Sequence, residues 1–190
     1  ALRTENIWPI DWSPEQPTTH YWFAQVRDVI EIHGLAPLQI DPEAQRLVQD
    51  WKSKNIGSDD YLTITLRDTY YPARNSHKDE WKKLVNWLSS DWDQRVVIVP
   101  DTEHAGDGRY TAIAAAAALN PMIRHALYAD ARMNLGVGGG PMTLCWFGGL
   151  PFMSFGMLRD NFNGMPEFYQ KWGLPVGSQL PWAKPDQRIV

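Results

Sequence analysis

The chain has 190 residues, of which 44% are hydrophobic and 21% are charged, a composition typical of a globular protein with a sizeable core. Its formal net charge of −4, without a run of Lys or Arg, argues against a nucleic acid held through its phosphates. The one cysteine, Cys145, excludes an internal disulfide and a cysteine-based metal site, and its apolar neighbours predict a buried packing role.

Neither a membrane span nor a secretory signal is predicted. The longest uninterrupted apolar run, Ala112–Leu119, is too short to cross a bilayer. The first residues lack the charged and apolar regions of a secretory leader. We therefore expect a cytoplasmic protein.

Residues 1–56 predict an arm followed by two helices. The segment 1–18 is rich in Pro and Trp and has no clear period, so we expect an extended arm that packs on a neighbouring surface. Apolar residues recur at helical spacing from Thr19 onward. Asp41 and Pro42 predict the start of a second helix, with Asp41 as its N-cap and Pro42 as its first residue. The buried stripe of this second helix is predicted to contain Ala44, Leu47, Val48 and Trp51.

Residues 57–190 predict one α/β domain with a parallel Rossmann-like sheet and helices on both faces. Short β-rich runs alternate with helical patterns, and such alternation implies right-handed crossovers. We expect strands at 62–66, 96–99, 135–137 and 151–155. Helices are expected after a cap at Asn75 or Ser76, over Ala112–Leu119, from Pro121 to about Ala131, and over 141–147. Ligands of such sheets bind at the carboxyl ends of the strands.

A glycine-rich loop follows the third predicted strand. Gly138, Gly139 and Gly140 precede Pro141, which suits the first position of a helix. Glycines let the backbone approach a ligand, and a helix start presents free N–H groups to an anion. The loop therefore predicts a phosphate cradle, although a tight turn without a ligand would use the same residues. The spacing matches neither the dinucleotide fingerprint nor a Walker loop, which disfavours a nicotinamide cofactor and ATP hydrolysis.

Two arginines, Arg67 and Arg74, follow the first predicted strand. A guanidinium binds phosphate in a bidentate geometry, so both are candidate diphosphate ligands. Surface salt bridges with Asp68 or Asp79 are the alternative.

A polar segment follows the second predicted strand. Asp101, Thr102 and Glu103 could accept hydrogen bonds from ribose or sugar hydroxyls, and His104 is a candidate acid or base. A helix cap made by Asp101 or Thr102 is the alternative. The other histidines show no ligand spacing with one another. The one Asp-x-Asp motif, Asp91 to Asp93, precedes a predicted strand and so lies at the wrong end of the sheet for chemistry.

Three blocks of sequence form an ordered set: 63–68 (TITLRD) with 74–76 (RNS), then 97–103 (VIVPDTE), and then 126–128 (ALY) with 134–137 (NLGV) and 140–144 (GPMTL). In this order they resemble the carboxyl-terminal, nucleotide-sugar-binding half of bacterial glycosyltransferases of the GT-B architecture. The similarity covers roughly residues 57–155.

The resemblance implies a nucleoside-diphosphate sugar as donor substrate, with no metal and no further cofactor. Arg67 and Arg74 would contact the donor diphosphate, and 101–103 would lie near the nucleoside or sugar. The glycine-loop contacts to the diphosphate would come from Gly138, Gly139, Gly140, Pro141 and Met142.

The chain departs from that family because only about sixty residues precede its sheet, too few for an acceptor domain of similar size. We therefore expect a donor-binding half, with an acceptor domain on a partner chain or self-association through the Trp-rich arm. A non-catalytic nucleotide- or sugar-binding module, or one that docks on a partner, is the main alternative. A nucleotide-sugar epimerase would share the cradle, but its paired acid and base groups are not identified.

Overall fold

The computed structural model describes residues 22–70, 72, 75–156, 158, 165–171 and 173–190. The predicted arm at 1–18 and the candidate ligand Arg74 lie outside the described residues. No helix of the described ranges is both long and apolar enough to cross a bilayer.

The described residues form an α/β fold with a parallel sheet, as the sequence predicts, and this sheet has five strands. The sheet order is β2-β1-β3-β4-β5. Its strands are β1 (Tyr61–Thr65), β2 (Arg95–Val99), β3 (Met133–Val137), β4 (Phe152–Phe155) and β5 (Gln187–Ile189). The helices are α1 (Trp22–His33), α2 (Pro42–Asn55), α3 (Lys78–Ser90), α4 (Ala112–Leu119), α5 (Pro121–Asp130), α6 (Gly140–Gly148) and α7 (Pro166–Lys171).

Helices cover both faces of the sheet because the strand residues alternate between two apolar clusters. Leu62 and Ile64 of β1 pack with Trp81 of α3 on one face. Tyr61 of β1 belongs to the larger cluster, which contains residues of α2, α4, α5 and α6 on the other face. All five residues of β1 are buried, as expected for a central strand of a parallel sheet. Cys145 is also fully buried in the larger cluster.

Two helices begin with a capping hydrogen bond, the first of them at the predicted N-cap. The Asp41 carboxylate accepts a hydrogen bond from the Ala44 N–H at 2.8 Å, and Pro42 opens α2. The Asn120 side chain accepts from Met122 N–H at 2.8 Å at the start of α5. Both helices therefore begin where the sequence predicts.

Two local predictions were wrong. Asn75 and Ser76 do not cap α3, whose N-cap residue is His77; the Ser76 hydroxyl instead accepts from Arg67 N–H, and Asn75 bonds to Thr69. Leu47 is 39% exposed rather than buried. The buried stripe of α2 is centred on Ala44 and Val48, which leaves Leu47 at its edge.

The start of α6 lies unusually close to β3. A Cβ built on Gly136 would lie 2.8 Å from Met142 Sδ, so the glycine lets the helix approach the strand. Asn134, also on β3, binds three neighbouring segments. It accepts from Thr63 Oγ1 at 2.6 Å, and its Nδ2 donates to the carbonyls of Tyr128 and Pro151. These contacts fix the amino-terminal half of β3 relative to β1.

Candidate functional site

A cavity of about 420 Å³ opens at the carboxyl edge of the sheet. It lies between the ends of β1 and β3, where the strand order changes direction, which is the usual ligand position in open parallel sheets. The loops after β1, β2 and β3 contribute Arg67, Asp101 and Gly139 to its walls. The remaining wall comes from the junction of α4 and α5 and includes Arg124.

The glycine loop supplies two free backbone donors to this cavity. Gly139 is the N-cap residue of α6 and Gly140 its first residue, and both line the cavity. Their N–H groups donate to no atom of the described residues, whereas Gly138 N–H donates to the Phe155 carbonyl. Since a helix start carries a partial positive charge, the two amides can bind an anion.

Met142 and Pro141, two further members of the predicted glycine-loop set, supply no backbone donor to the cavity. The Met142 side chain is fully buried, and its N–H donates to the Gly139 carbonyl at 3.0 Å. Pro141 lines the cavity but has no N–H to donate. The backbone donors of the loop are therefore those of Gly139 and Gly140.

Arg67 lies against the glycine loop. A Cβ built on Gly139 would be 2.8 Å from Arg67 Nη1, so the guanidinium occupies the space beside the glycine. Ser76 holds the Arg67 backbone on both sides, because its hydroxyl accepts from Arg67 N–H and its N–H donates to the Arg67 carbonyl. Asp68, one of the salt-bridge partners considered for the arginines, instead contacts Lys78 and His104.

Asp101 and Thr102 line the cavity, and neither side chain accepts a hydrogen bond from an N–H group at a helix start. The Asp101 carboxylate accepts from Asp68 N–H at 3.1 Å. The Thr102 hydroxyl donates to the Ala118 carbonyl at 3.2 Å. These bonds join the β2 loop to the β1 loop and to the end of α4. Asp101 also brings a carboxylate acceptor to the cavity wall.

Glu103 and His104 are not among the residues that line the cavity. Glu103 is exposed. His104 lies between two carboxylates, with Nε2 3.0 Å from Asp68 and Nδ1 3.3 Å from Asp107. A hydrogen bond from Arg109 lowers the pKa of Asp107, which keeps that carboxylate charged beside the ring. Both ring nitrogens therefore have acidic partners within the protein.

Arg124 was not predicted from the sequence; it lies on α5 and lines the cavity with only 9% of its surface exposed. Its Nε donates to the Ala117 carbonyl at 2.8 Å and its Nη2 to the Ala118 carbonyl at 3.0 Å. No strand end or glycine loop marks this position. The one signal in the sequence is an arginine on the buried side of a largely apolar helix.

Thr65, in the wall of the cavity, belongs to a neutral hydroxyl pair. Thr65 Oγ1 and Tyr128 Oη are 2.5 Å apart, and Thr65 lines the cavity. Burial raises the pKa of Tyr128 above its ordinary value, so its hydroxyl stays protonated at neutral pH. This pair therefore adds no negative charge beside a bound anion.

Among the ranges that the structure describes, no three His, Cys, Asp or Glu side chains are arranged to hold a metal ion. Comparison of the chain with family models, with curated proteins and with solved structures gives no significant match.

Proposed function

We propose that this chain binds a nucleoside-diphosphate sugar in the cavity and acts as the donor-binding half of a metal-independent glycosyltransferase. One observation carries the proposal: the free N–H groups of Gly139 and Gly140 open into a cavity at the strand-order change, directly beside Arg67. Backbone donors, a helix start and a guanidinium together form an anion site suited to phosphate.

The same groups would assist sugar transfer by stabilising the leaving group. Negative charge develops on the diphosphate as the bond to the sugar breaks, and fixed donors aimed at that charge lower the barrier. Arg67 and the two glycine amides supply such donors. Asp101 and Thr102, on the β2 side, would accept hydrogen bonds from the hydroxyls of the nucleoside or sugar.

A binding module without catalysis is the second candidate, and the position of His104 favours it. Both nitrogens of this ring contact carboxylates, and the ring does not line the cavity, so no side chain that we assigned as acid or base reaches the ligand. An acceptor domain on a partner chain, or a second copy of this chain, would then supply that group. Release of free sugar or transfer to an acceptor separates the two candidates, because a binding module would do neither.

The proposed location is the cytoplasm. The single cysteine of this chain is free and buried. Such cysteine usage fits a reducing compartment.

Thermal-shift and calorimetric titrations test the binding proposal, with UDP, GDP, ADP and CMP and their common sugar conjugates as ligands. A ligand that binds the folded state alone raises the melting temperature by mass action. We expect one nucleoside diphosphate to bind and Arg67→Gln to weaken that binding at least tenfold. Arg46→Gln is the matched control, since Arg46 is an exposed arginine of α2 that pairs with Glu43 and Asp50.

Two results would contradict the proposal. One is the absence of any shift with all of these ligands. The other is an Arg67→Gln protein that loses thermal stability but retains the affinity of the unmodified chain.

A further inference from the structure

Arg124 is a buried cation that the protein itself compensates only in part. The carbonyls of Ala117 and Ala118, at the carboxyl-terminal end of α4, accept from its Nε and Nη2. In the described part of the chain, no carboxylate forms an ion pair with its guanidinium. A buried charge without a charged partner is costly, and the partial negative charge of a helix end offsets only part of that cost.

The two carbonyls at the end of α4 accept hydrogen bonds from only two of the N–H donors of Arg124. A guanidinium has five N–H donors, and the two carbonyls engage one on Nε and one on Nη2. Nη1 has no hydrogen-bond partner among the described residues, although the side chain is nine-tenths buried. Because Arg124 lines the cavity, this unused edge is available to a ligand there.

Arg124 stands on a different wall of the cavity from Arg67. The Ala118 carbonyl accepts from both Arg124 and Thr102, which places this guanidinium beside the β2 loop and the end of α4. Arg67 instead adjoins Gly139, on the β3 side. An anion held by Arg67 and the α6 amides would therefore leave the Arg124 guanidinium without an anionic partner.

We propose that Arg124 is a second anion-binding residue and holds a second phosphoryl group, so that the cavity selects diphosphates over monophosphates. This inference rests on the proposed function, in which Arg67, Gly139 and Gly140 hold the first phosphoryl group. The inference adds to the site a residue of α5, which lies outside the strand-end loops. It also adds a preference for diphosphates that Arg67 and the two glycine amides alone would not produce.

Calorimetric titration with inorganic pyrophosphate and inorganic phosphate tests this assignment. We expect the unmodified chain to bind pyrophosphate at least tenfold more tightly than phosphate. Arg124→Met should weaken pyrophosphate binding at least tenfold and change phosphate binding less than twofold. Arg124→Lys keeps the charge but not the planar guanidinium. Its affinity for pyrophosphate should lie between those of the unmodified chain and of Arg124→Met. Arg67→Gln should weaken both anions.

The outcomes separate the two proposals. If the unmodified chain binds neither anion, the anion site of the proposed function is wrong and Arg124 has no role in it. If it binds both equally, or if Arg124→Met weakens both equally, the Arg124 assignment alone is overturned.

A measurement on the unmodified chain covers the case in which the Arg124 variants do not fold. The guanidinium Nε–Hε resonances of Arg67 and Arg124 are assigned through the backbone and followed by NMR. Pyrophosphate should shift both resonances, whereas phosphate should shift that of Arg67 far more than that of Arg124. An Arg124 resonance that stays in place at saturating pyrophosphate would overturn the assignment.

Discussion

At the residue scale, the absence of a side chain at Gly139 leaves room for Arg67. The φ of Gly139 is 175°, an extended conformation open to any residue, so alanine there meets no backbone strain. Its Cβ would lie 2.8 Å from Arg67 Nη1 and displace the end of a flexible side chain. We expect Gly139→Ala to weaken pyrophosphate binding about tenfold, or ~1.4 kcal/mol, in calorimetry. The melting temperature should change little.

Gly106 offers the matched control for that substitution. A Cβ at Gly106 would meet no atom within 4 Å, and Gly106 does not line the cavity. Gly106→Ala should bind pyrophosphate as the unmodified chain does. Equal affinity of both alanine variants would show that the position of Arg67 beside Gly139 does not matter for the anion.

His125 makes the stability depend on pH. The ring is 3% exposed, and burial lowers its pKa below the ordinary value of about 6.5, against a smaller opposing effect of a hydrogen bond with the Gln39 backbone. The unfolded chain therefore takes up the proton first. The contribution of neutral His125 to the free energy of unfolding should be fully present above pH 6.5. It should be lost as the pH drops toward and through the folded-state pKa.

Urea unfolding between pH 8 and pH 5 measures this effect. His125→Gln removes the titrating group, so the free energy of unfolding of the variant should vary less over this range. Parallel pH profiles for the two proteins would contradict the assignment to His125.

At the element scale, the position of α6 depends on Gly136. Alanine at this position would bring its Cβ to 2.8 Å from Met142 Sδ in a packed core. We expect Gly136→Ala to destabilise the fold by about 1–3 kcal/mol, because overpacking forces the helix away from the strand. Urea unfolding provides the measurement. Combining it with Met142→Ala should give less destabilisation than the sum of the two changes, since the smaller side chain leaves room for the new methyl group.

Additive effects in that double-mutant cycle would show that Gly136 and Met142 are not coupled. The anion affinity of the Gly136→Ala protein gives a second readout. A shift of α6 would move the amides of Gly139 and Gly140, and weaker pyrophosphate binding should accompany the lost stability.

The helices and strands could be predicted where local chemistry decides them. Asp41 with Pro42 and Asn120 with Pro121 combine an N-cap and a first helical residue, and both helices begin there. Ser76 was assigned wrongly because a hydroxyl before a helix has two possible uses. The nearby Arg67 N–H, from a strand end nine residues earlier, takes this hydroxyl as its acceptor, and no local pattern reveals that contact.

At the scale of the whole molecule, α2 belongs to the same core as the sheet. Val48 is 1% exposed within the larger apolar cluster, and Lys52 and Gln49 both contact Asp130 of α5. We expect Val48→Ala to destabilise the entire described fold by roughly 1–3 kcal/mol. Amide exchange in α2 and in β3 should accelerate together. Faster exchange confined to α2 would instead support a separate unit that ends near residue 56.

The sequence could predict a sheet edge with three candidate ligand-binding loops, because strand ends carry polar and glycine residues in a recognisable order. Arg67, Asp101 and Gly139 do meet in one cavity. Arg124 could not be predicted, since its place depends on how α4 and α5 turn against each other. The same applies to His104, whose two carboxylate contacts depend on how the loops after β1 and β2 pack together.

The cavity joins parts of the chain that are far apart in sequence, since Arg67 and Gly139 are separated by more than seventy residues. An anion bound to both residues acts as a reversible cross-link that closes a long loop of the chain. Unfolding has to open that loop and therefore has to break the contacts to the anion. The unfolded chain offers no such pair, so the ligand should chiefly slow unfolding and leave the folding rate nearly unchanged. If the chain binds such an anion, it should resist proteolysis better in the presence of the anion than in its absence.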